Sequence, residues 1–377
     1  MNNIIVLGAG MVGRTMAIDL TTKHNVTLAD FSLAALTESK QKCNALKTVQ
    51  IDVTDKIKLQ KTLQPFDLVI CAVPGFLGFE TLKTVIETKK NVVDISFFPE
   101  NSLVLNDLAK QSNVTAIVDC GVAPGMGNII LGHYNEQLKL TDFECLVGGL
   151  PKIKKWPFNY KAPFSPVDVI EEYTRPARYV ENSHIVVKEA LSDVEHVTFD
   201  GVGTLEAFNS DGLRSLVYTM KHIKNMKEKT LRYPGHVNFI QVLKRSGFFD
   251  TQKITFNGTE ISPLEFSSKI LFNEWQLGAT EEELTVMRIT LKGTDKKGEK
   301  QTVVYHLHDV YCPETQTSSM ARTTGYTATA AANMFLDGLF DKKGVFPPEL
   351  IGKEAGVFDY VLKYLKVRGV IYRKEVL

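Results

Sequence analysis

The chain predicts an α/β fold. A doubly wound parallel sheet fills its first third. A second α+β domain with a mostly antiparallel sheet follows, inserted before a C-terminal segment that returns to the first domain. Three observations carry this expectation. Short β-branched runs alternate with helical patterns up to about residue 120; a glycine-rich turn joins the first strand to the first helix; and beyond Gly121 strands follow one another through hairpin-like loops.

In order, "NIIVLGA" reads as a buried strand and "MVGRTMAIDLTT" as the helix after it. The strands "NVTLAD", "TVQIDV", "DLVICAV", "NVVDIS" and "VTAIVDC" alternate with helical patterns near 32–45, 55–63, 78–88 and 102–111. Continuous apolar strands separated by helices make a parallel sheet covered on both faces, and right-handed crossovers wind it doubly. Residues 126–139 look helical, and "DFECLVGGL" is a strand leading into the loop "PKIKKWPFNYKAPFSP". "HIVVKE", "QKITFNG", "LTVMRITLKG" and "TVVYHLHDVY" then suit an antiparallel sheet with helices on one face. The alanines of "SSMARTTGYTATAAANMFLDGLF" suit a helix packed tightly on the first domain. The expected units are 1–122, binding a dinucleotide; 123–311, binding substrate and making subunit contacts; and 312–377, packing on the first.

Composition narrows the function. With 377 residues, 44% hydrophobic and 23% charged, the chain has material for two cores. A formal charge of +1 without a basic cluster argues against a nucleic-acid footprint, and no apolar run is long enough to span a bilayer. The N-terminus enters a strand directly, without signal-peptide features, and five cysteines lack CxxC spacing, so a cytoplasmic, reduced protein is expected. His306 and His308 share a strand face, but no HExxH or cysteine pair completes a metal site, and no metal is expected. No GxSxG argues for hydrolysis.

"VLGAGMVG" carries GxGxxG at Gly8, Gly10 and Gly13, between a strand and a helix. The first glycine permits the turn, the second admits a pyrophosphate, and the third lets helix and strand approach, as in a Rossmann domain. Met11 and Val12 belong to the same loop. Asp30 ends the second strand, where a carboxylate accepts the ribose hydroxyls of NAD and repels the 2′-phosphate of NADP, and "ADFS" offers no arginine for that phosphate. NAD is therefore the expected cofactor. Asp52 and Val53 would edge the adenine, and Ala72, Val73 and Pro74 would line the crevice, unless these are ordinary strand-to-helix loops. In "IVDCGVAPGMGN" the glycines from Gly121 onward would let the backbone pass under the nicotinamide.

"GAGMVG", "AVPGFLG", "GVAPGMGN", "VGGLP", "EYTRPAR", "GTLEAFNSDGLRSL", "KTLRYPGH" and "MARTTGYTATAAANM", in this order, resemble the saccharopine dehydrogenase-like family over nearly the whole chain. Length and wording point to its lysine 6-dehydrogenase branch rather than to the longer saccharopine reductases. Where the reductases carry an acid before Pro-Gly, a cysteine before Gly-Gly-Leu-Pro and a Ser-Tyr pair, this chain has Ala123, Val147 and Ser96-Phe97. The resemblance implies oxidation of the terminal amine of L-lysine, with saccharopine or carboxyspermidine-type chemistry as the alternative. A dinucleotide-binding protein without catalysis is the third reading. A homo-oligomer, with a dimer favoured, follows from the second domain.

A free lysine amine has a pKa of about 10.4, and only its neutral form expels hydride, so the site must take up a proton. Asp119 would hold the ammonium or orient a water, or else cap the helix near Pro124. His236 would carry the proton or make a structural hydrogen bond; Tyr160 would close over the substrate or fill a surface. Arg175, Arg214 and Arg232 are candidates for a carboxylate, Arg175 equally for a structural ion pair. Glu206 and Asp211 are candidates for an ammonium, Asp211 equally for a helix cap.

Overall fold

The computed structural model describes residues 1–278 and 280–377, leaving aside the side chains of Pro166 and Val167. The first third alternates β1 (Asn3–Leu7), α1 (Met11–Leu20), β2 (Asn25–Asp30), α2 (Leu33–Lys42), β3 (Lys47–Gln50), α3 (Lys56–Leu63), β4 (Leu68–Cys71), α4 (Gly75–Glu87), β5 (Asn91–Asp94), α5 (Asn106–Gln111) and β6 (Thr115–Ile117). The central strands are apolar on both faces because helices cover both: Ile4, Val6, Leu68 and Ile70 join one core, while Ile5, Leu7, Val69 and Cys71 join the other.

The chain then passes through α6 (Met126–Asn135), β7 (Lys139–Pro151), α7 (Pro166–Thr174), β8 (Ala177–Glu181), β9 (His184–Lys188), β10 (Glu195–Phe199), β11 (Gly203–Asn209), α8 (Leu216–Thr219) and β12 (Asn225–Arg232). Next come α9 (His236–Arg245), β13 (Ile254–Phe256), β14 (Thr259–Ile261), α10 (Pro263–Trp275), β15 (Glu283–Thr294) and β16 (Lys300–Val310). The last elements are α11 (Ser319–Leu336), β17 (Gly344–Phe346), α12 (Pro348–Gly352), α13 (Val357–Val367) and β18 (Tyr372–Val376).

The first sheet has the order β17-β6-β5-β4-β1-β2-β3, all parallel. The strand order reverses between β1 and β4, and ligands bind at such a switch point. The second sheet runs β10-β11-β12-β7-β15-β16-β18, mostly antiparallel, with β12 and β7 parallel and the β8–β9 hairpin attached to β12. "QKITFNG" does not join it: three exposed residues of β13 pair only with β14.

The C-terminal segment returns to the first domain. β17 extends the first sheet and α11 lies on α1, where a Cβ at Gly325 would come 3.1 Å from Met16. Thr329, Tyr364 and Arg368 all bond the carboxylate of Asp19 on α1. β18 additionally pairs with β16. α6 and α12 cross closely because a Cβ at Gly132 would meet Glu349 O at 2.2 Å and one at Gly352 would meet Ile129 O at 2.3 Å. Among the described residues, no helix is long and apolar enough to cross a membrane.

Candidate active site

A cavity of about 720 Å³ lies where the ends of the parallel strands meet the second sheet. Its first half is the glycine turn. Gly8 has φ +106°, and a Cβ there would sit 2.3 Å from Ala72 O; one at Gly13 would sit 2.0 Å from Gly8 O. A Cβ at Gly10 meets nothing within 4 Å, so the space beside it is open. Gly10 precedes α1 without a side-chain cap, leaving helix N–H groups free for an anion. Asp30 accepts from Ala9 N–H through Oδ2 (2.6 Å) and from Ser32 N–H through Oδ1 (2.8 Å), which holds it beside the turn. These features fit a nicotinamide dinucleotide.

Met11, Val12, Ala72, Val73, Pro74, Ser96, Phe97 and Gly121 line the same cavity, as does Arg14, which the sequence reading missed. Arg14 reaches Glu38 of α2 at 2.6 Å. Asp52 and Val53 do not line it. Asp52 is tied into its own turn by Thr54 N–H and Oγ1 (2.9 and 2.7 Å), and β3 is the sheet edge, two strands removed from the switch point.

In "IVDCGVAPGMGN", Gly121, Val122, Ala123 and Pro124 line the cavity. Gly125 (φ +143°) is forced by its own turn, since a Cβ there would fall 1.8 Å from Gly121 O. Asp119, itself at φ +53°, neither caps α6 nor stands free: Arg214 Nε and Nη2 donate to its Oδ1 at 3.2 and 3.0 Å. Arg214 also donates to the Phe98 carbonyl and lies 4.9 Å from the Phe97 ring centre. Both side chains of the pair are only 3% exposed. Arg214, already fully engaged and outside the cavity lining, is not a carboxylate receptor.

The second half of the cavity is acidic. Asp168 and Glu172, one turn apart on α7, face it together. Glu228, Thr230 and Arg232 alternate along β12 onto the same face. Asp168 Oδ1 accepts from Gly75 N–H (3.2 Å), and burial pushes its carboxyl up to about 6. Arg232 donates to Glu172 (2.8 Å), to Tyr173 Oη (3.2 Å) and to Tyr160 Oη (3.3 Å). Burial raises Glu172 despite that guanidinium. Asp211 is gripped by Arg178 through Nε (2.9 Å) and Nη2 (2.8 Å), so it is an ion-pair partner lining the cavity and not a helix cap. Glu228 has no hydrogen-bond partner for its carboxyl among the described residues; burial, then Glu172 and Asp211, push it up to about 8. The signal for Asp168, Glu172 and Glu228 lay in "VDVIEEY" and "EKTLR".

Arg232 is the one sequence-predicted arginine that lines the cavity. Behind it, Tyr173 Oη donates to His236 Nε2 (2.9 Å), and His236 Nδ1–H donates to the Phe158 carbonyl (2.9 Å), with hydrogens assigned from the acceptors. His236 is 1% exposed, lies off the cavity, and burial then Arg232 hold its pKa down to about 3. It stays neutral and is not the proton carrier. Tyr160 is no lid: it is 3% exposed, with Arg232 over its ring at 4.3 Å. Glu206 accepts from Gly235 N–H (2.8 Å) and Val237 N–H (3.2 Å), capping α9 away from the cavity. Arg175 pairs with Glu171 at 2.9 Å and stacks on Phe97, so its structural alternative holds. His306 lies 3.4 Å from Glu375, and no group of three His, Cys, Asp or Glu able to hold a metal occurs among the described residues.

The saccharopine dehydrogenase NADP binding domain matches residues 4–117, and the saccharopine dehydrogenase C-terminal domain matches residues 121–370. Similar relatives include saccharopine dehydrogenase [NADP(+), L-glutamate-forming] of Saccharomyces cerevisiae, 25% identical over 99% of this chain and 98% of its own. Carboxyaminopropylagmatine dehydrogenase of Synechocystis is 23% identical, covering 93% and 92%. The alpha-aminoadipic semialdehyde synthases are longer: this chain spans 33% of the Arabidopsis thaliana protein (26% identical) and 47% of the rat one (23% identical). The solved apo saccharopine dehydrogenase of S. cerevisiae shares the fold, with a TM-score of 0.80 at 20% identity and full coverage of both chains. Both halves of the chain, the glycine-turn sheet and the mixed sheet that closes its crevice, thus belong to the saccharopine dehydrogenase family.

Proposed function

We propose that the protein is an NAD-dependent dehydrogenase that oxidises the terminal amine of L-lysine to an imine, which water converts to 2-aminoadipate 6-semialdehyde. The carrying observation is the charge of the cavity's substrate half: five carboxyls, Asp119, Asp168, Glu172, Asp211 and Glu228, surround the single guanidinium of Arg232. L-lysine has one carboxylate, which would share Arg232 with Glu172, and two ammonium groups for the acids. Saccharopine has three carboxylates and would leave two of them facing this wall. A bound oxidised nicotinamide supplies the hydride acceptor. The glycine turn and free N–H groups of α1 would hold its pyrophosphate, and Asp30 its ribose. Ala123, Val147 and Phe97, which stand where the saccharopine reductases carry an acid, a cysteine and a tyrosine, all line the cavity.

The surplus of acid favours one second reading, a cationic N-carboxyalkyl polyamine of the kind named for the Synechocystis relative. The proposal includes a cytosolic homodimer, consistent with five unpaired cysteines, of which Cys71, Cys120 and Cys145 are buried. Light scattering measures the assembly. Incubation with NAD or NADP and each of L-lysine, saccharopine and a carboxyalkyl polyamine, following nicotinamide absorbance and aldehyde trapping, tests the chemistry. Turnover of saccharopine with silence on L-lysine overturns the first reading.

A further inference from the structure

We infer that Glu228 is the group that takes the proton from the substrate amine, an assignment that rests on the amine-oxidation reading above. Every other carboxyl of the cavity's substrate half is already held. Asp119 is bound by Arg214, Asp168 by the Gly75 N–H, Glu172 by Arg232 and Asp211 by Arg178. Glu228 is 5% exposed, lines the cavity, and its carboxyl meets no donor among the described residues. The chain is built closely around it. A Cβ at Gly212 would fall 1.8 Å from its Oε1, so the loop after β11 closes directly against the carboxyl. A buried polar group without a partner is costly, and one aimed into a ligand cavity waits for a ligand to supply the missing bond.

The groups facing it explain its behaviour. Glu172 of α7, Asp211 of the loop after β11 and Asp119 of the loop after β6 oppose its ionisation, and Arg214 favours it. Cys145 on β7 and Tyr179 on β8 also feel its charge, and both are themselves pushed up by burial. Arg232 lies further along the same strand, committed to Glu172. Burial first, and then three acids against cations already committed to Asp119 and Glu172, leave Glu228 mostly protonated at neutral pH, in line with its pKa of about 8. An arriving ammonium reverses that balance.

The amine enters as R–CH₂–NH₃⁺ while Glu228 gives up its own proton to solvent. One N–H proton then moves to the Glu228 carboxylate, leaving R–CH₂–NH₂ and a neutral acid. The C–H bond breaks and its hydrogen leaves with both electrons for an oxidised nicotinamide dinucleotide, while the nitrogen lone pair forms the C=N bond of R–CH=NH₂⁺. Water adds to that carbon and ammonium departs, leaving the aldehyde; Glu228 returns its proton to solvent.

The test compares the wild type with Glu228→Gln, which preserves shape and removes the titration. Calorimetry of L-lysine binding without dinucleotide, in buffers of different ionisation enthalpy, should show proton release by the wild type at pH 7 that fades by pH 9, and none from the variant. In turnover, kcat/KM of the wild type should rise through an acid limb near pH 8; the variant should lose about 10²–10⁴-fold and that limb with it. Equal proton release by both proteins, or a variant that keeps the acid limb, overturns the assignment. Should the variant fail to fold, the wild type alone decides: binding without proton release at pH 7 refutes it. Proton release that the wild type shows and Glu228→Gln lacks, without turnover of any amine with either dinucleotide, keeps Glu228 as the group that meets the ammonium while sinking the oxidation reading.

Discussion

The proposed choice of NAD turns on Asp30, and replacing it with alanine gives the sharpest measurement. Both carboxylate oxygens are fixed by backbone N–H groups at 2.6 and 2.8 Å, so the charge cannot swing away from a ribose lying in the glycine turn. A hydrogen bond to a charged acceptor contributes about 1.5–3 kcal/mol, so losing the ribose contacts should weaken NAD binding by about 10- to 100-fold. For NADP the sign reverses. Two like charges about 5 Å apart at an effective dielectric near 20 repel by about 3 kcal/mol, a factor of about 100 before salt screening. Isothermal titration of both dinucleotides against wild type and Asp30→Ala, with thermal midpoints as a folding control, should show a strong wild-type preference for NAD that collapses in the variant. Arg14 refines the test. It is occupied by Glu38 at 2.6 Å, and Glu38→Gln added to Asp30→Ala should free it to receive a 2′-phosphate and tighten NADP further. A wild type that binds NADP as tightly as NAD, with a ratio unmoved by Asp30→Ala, would refute the argument.

Two further perturbations probe the frame of the site. Arg214→Met strips the counter-charge from Asp119, which is only 3% exposed, and should cost about 3–5 kcal/mol in urea unfolding; adding Asp119→Asn should recover part of that. A loss under about 1 kcal/mol would mean that the pair behaves as a solvated surface bridge. Stability should also fall as pH rises from 6.5 to about 8.5. Asp94, Glu228 and Glu283 are raised to about 8, so the folded chain keeps protons that the unfolded chain has released; their favourable contribution is complete below the unfolded values and is lost as pH climbs through 8. His236, lowered to about 3, acts oppositely and only below 6.5, where the unfolded imidazole takes up a proton that the fold refuses. Denaturant midpoints at pH 6.5 and 8.5 check the sign, and a rise between them contradicts it.

What could be read from the sequence was local. The glycine turn, Asp30 and the loops after β4, β5 and β6 lie at strand ends next to the point where the strand order reverses, so chain order alone brings them to one crevice. For the loop after β3 both alternatives stayed open, because edge position is a property of the sheet and not of the strand. Pairings across long separations were invisible. Asp119, read as a substrate-site acid or a helix cap, and Arg214, read as a carboxylate receptor, lie 95 residues apart and are each other's partners. Glu206 and His236 carried plausible chemistry, yet Glu206 caps α9 and His236 closes a hydrogen-bond chain behind Arg232. Glu228 was missed for another reason. Alternation along β12 shows that residues 228, 230 and 232 share a face, but both faces of that strand carry charge, with Lys227 and Lys229 on the other side, so period alone cannot say which face meets the cavity.

The charge of the cavity links these findings to mechanism. Five carboxyls in a mostly buried wall cannot all stay ionised without counter-charge, because desolvation disfavours each of them. The fold supplies guanidinium groups to three, Asp119, Glu172 and Asp211, and a backbone N–H to Asp168, and among the described residues it supplies no hydrogen-bond donor to the Glu228 carboxyl. A neutral or anionic ligand would leave that deficit as it is. A cationic amine corrects it, and in doing so meets an acceptor whose proton affinity lies close enough to its own for the proton to pass between them. On the proposed reading, selecting a cation and preparing it to lose hydride are then one electrostatic event. A neutral isostere of lysine, with a hydroxyl in place of the terminal amine, should therefore bind weakly and without proton release even though it fills the same space; tight binding of that isostere would show that shape, and not charge, governs entry.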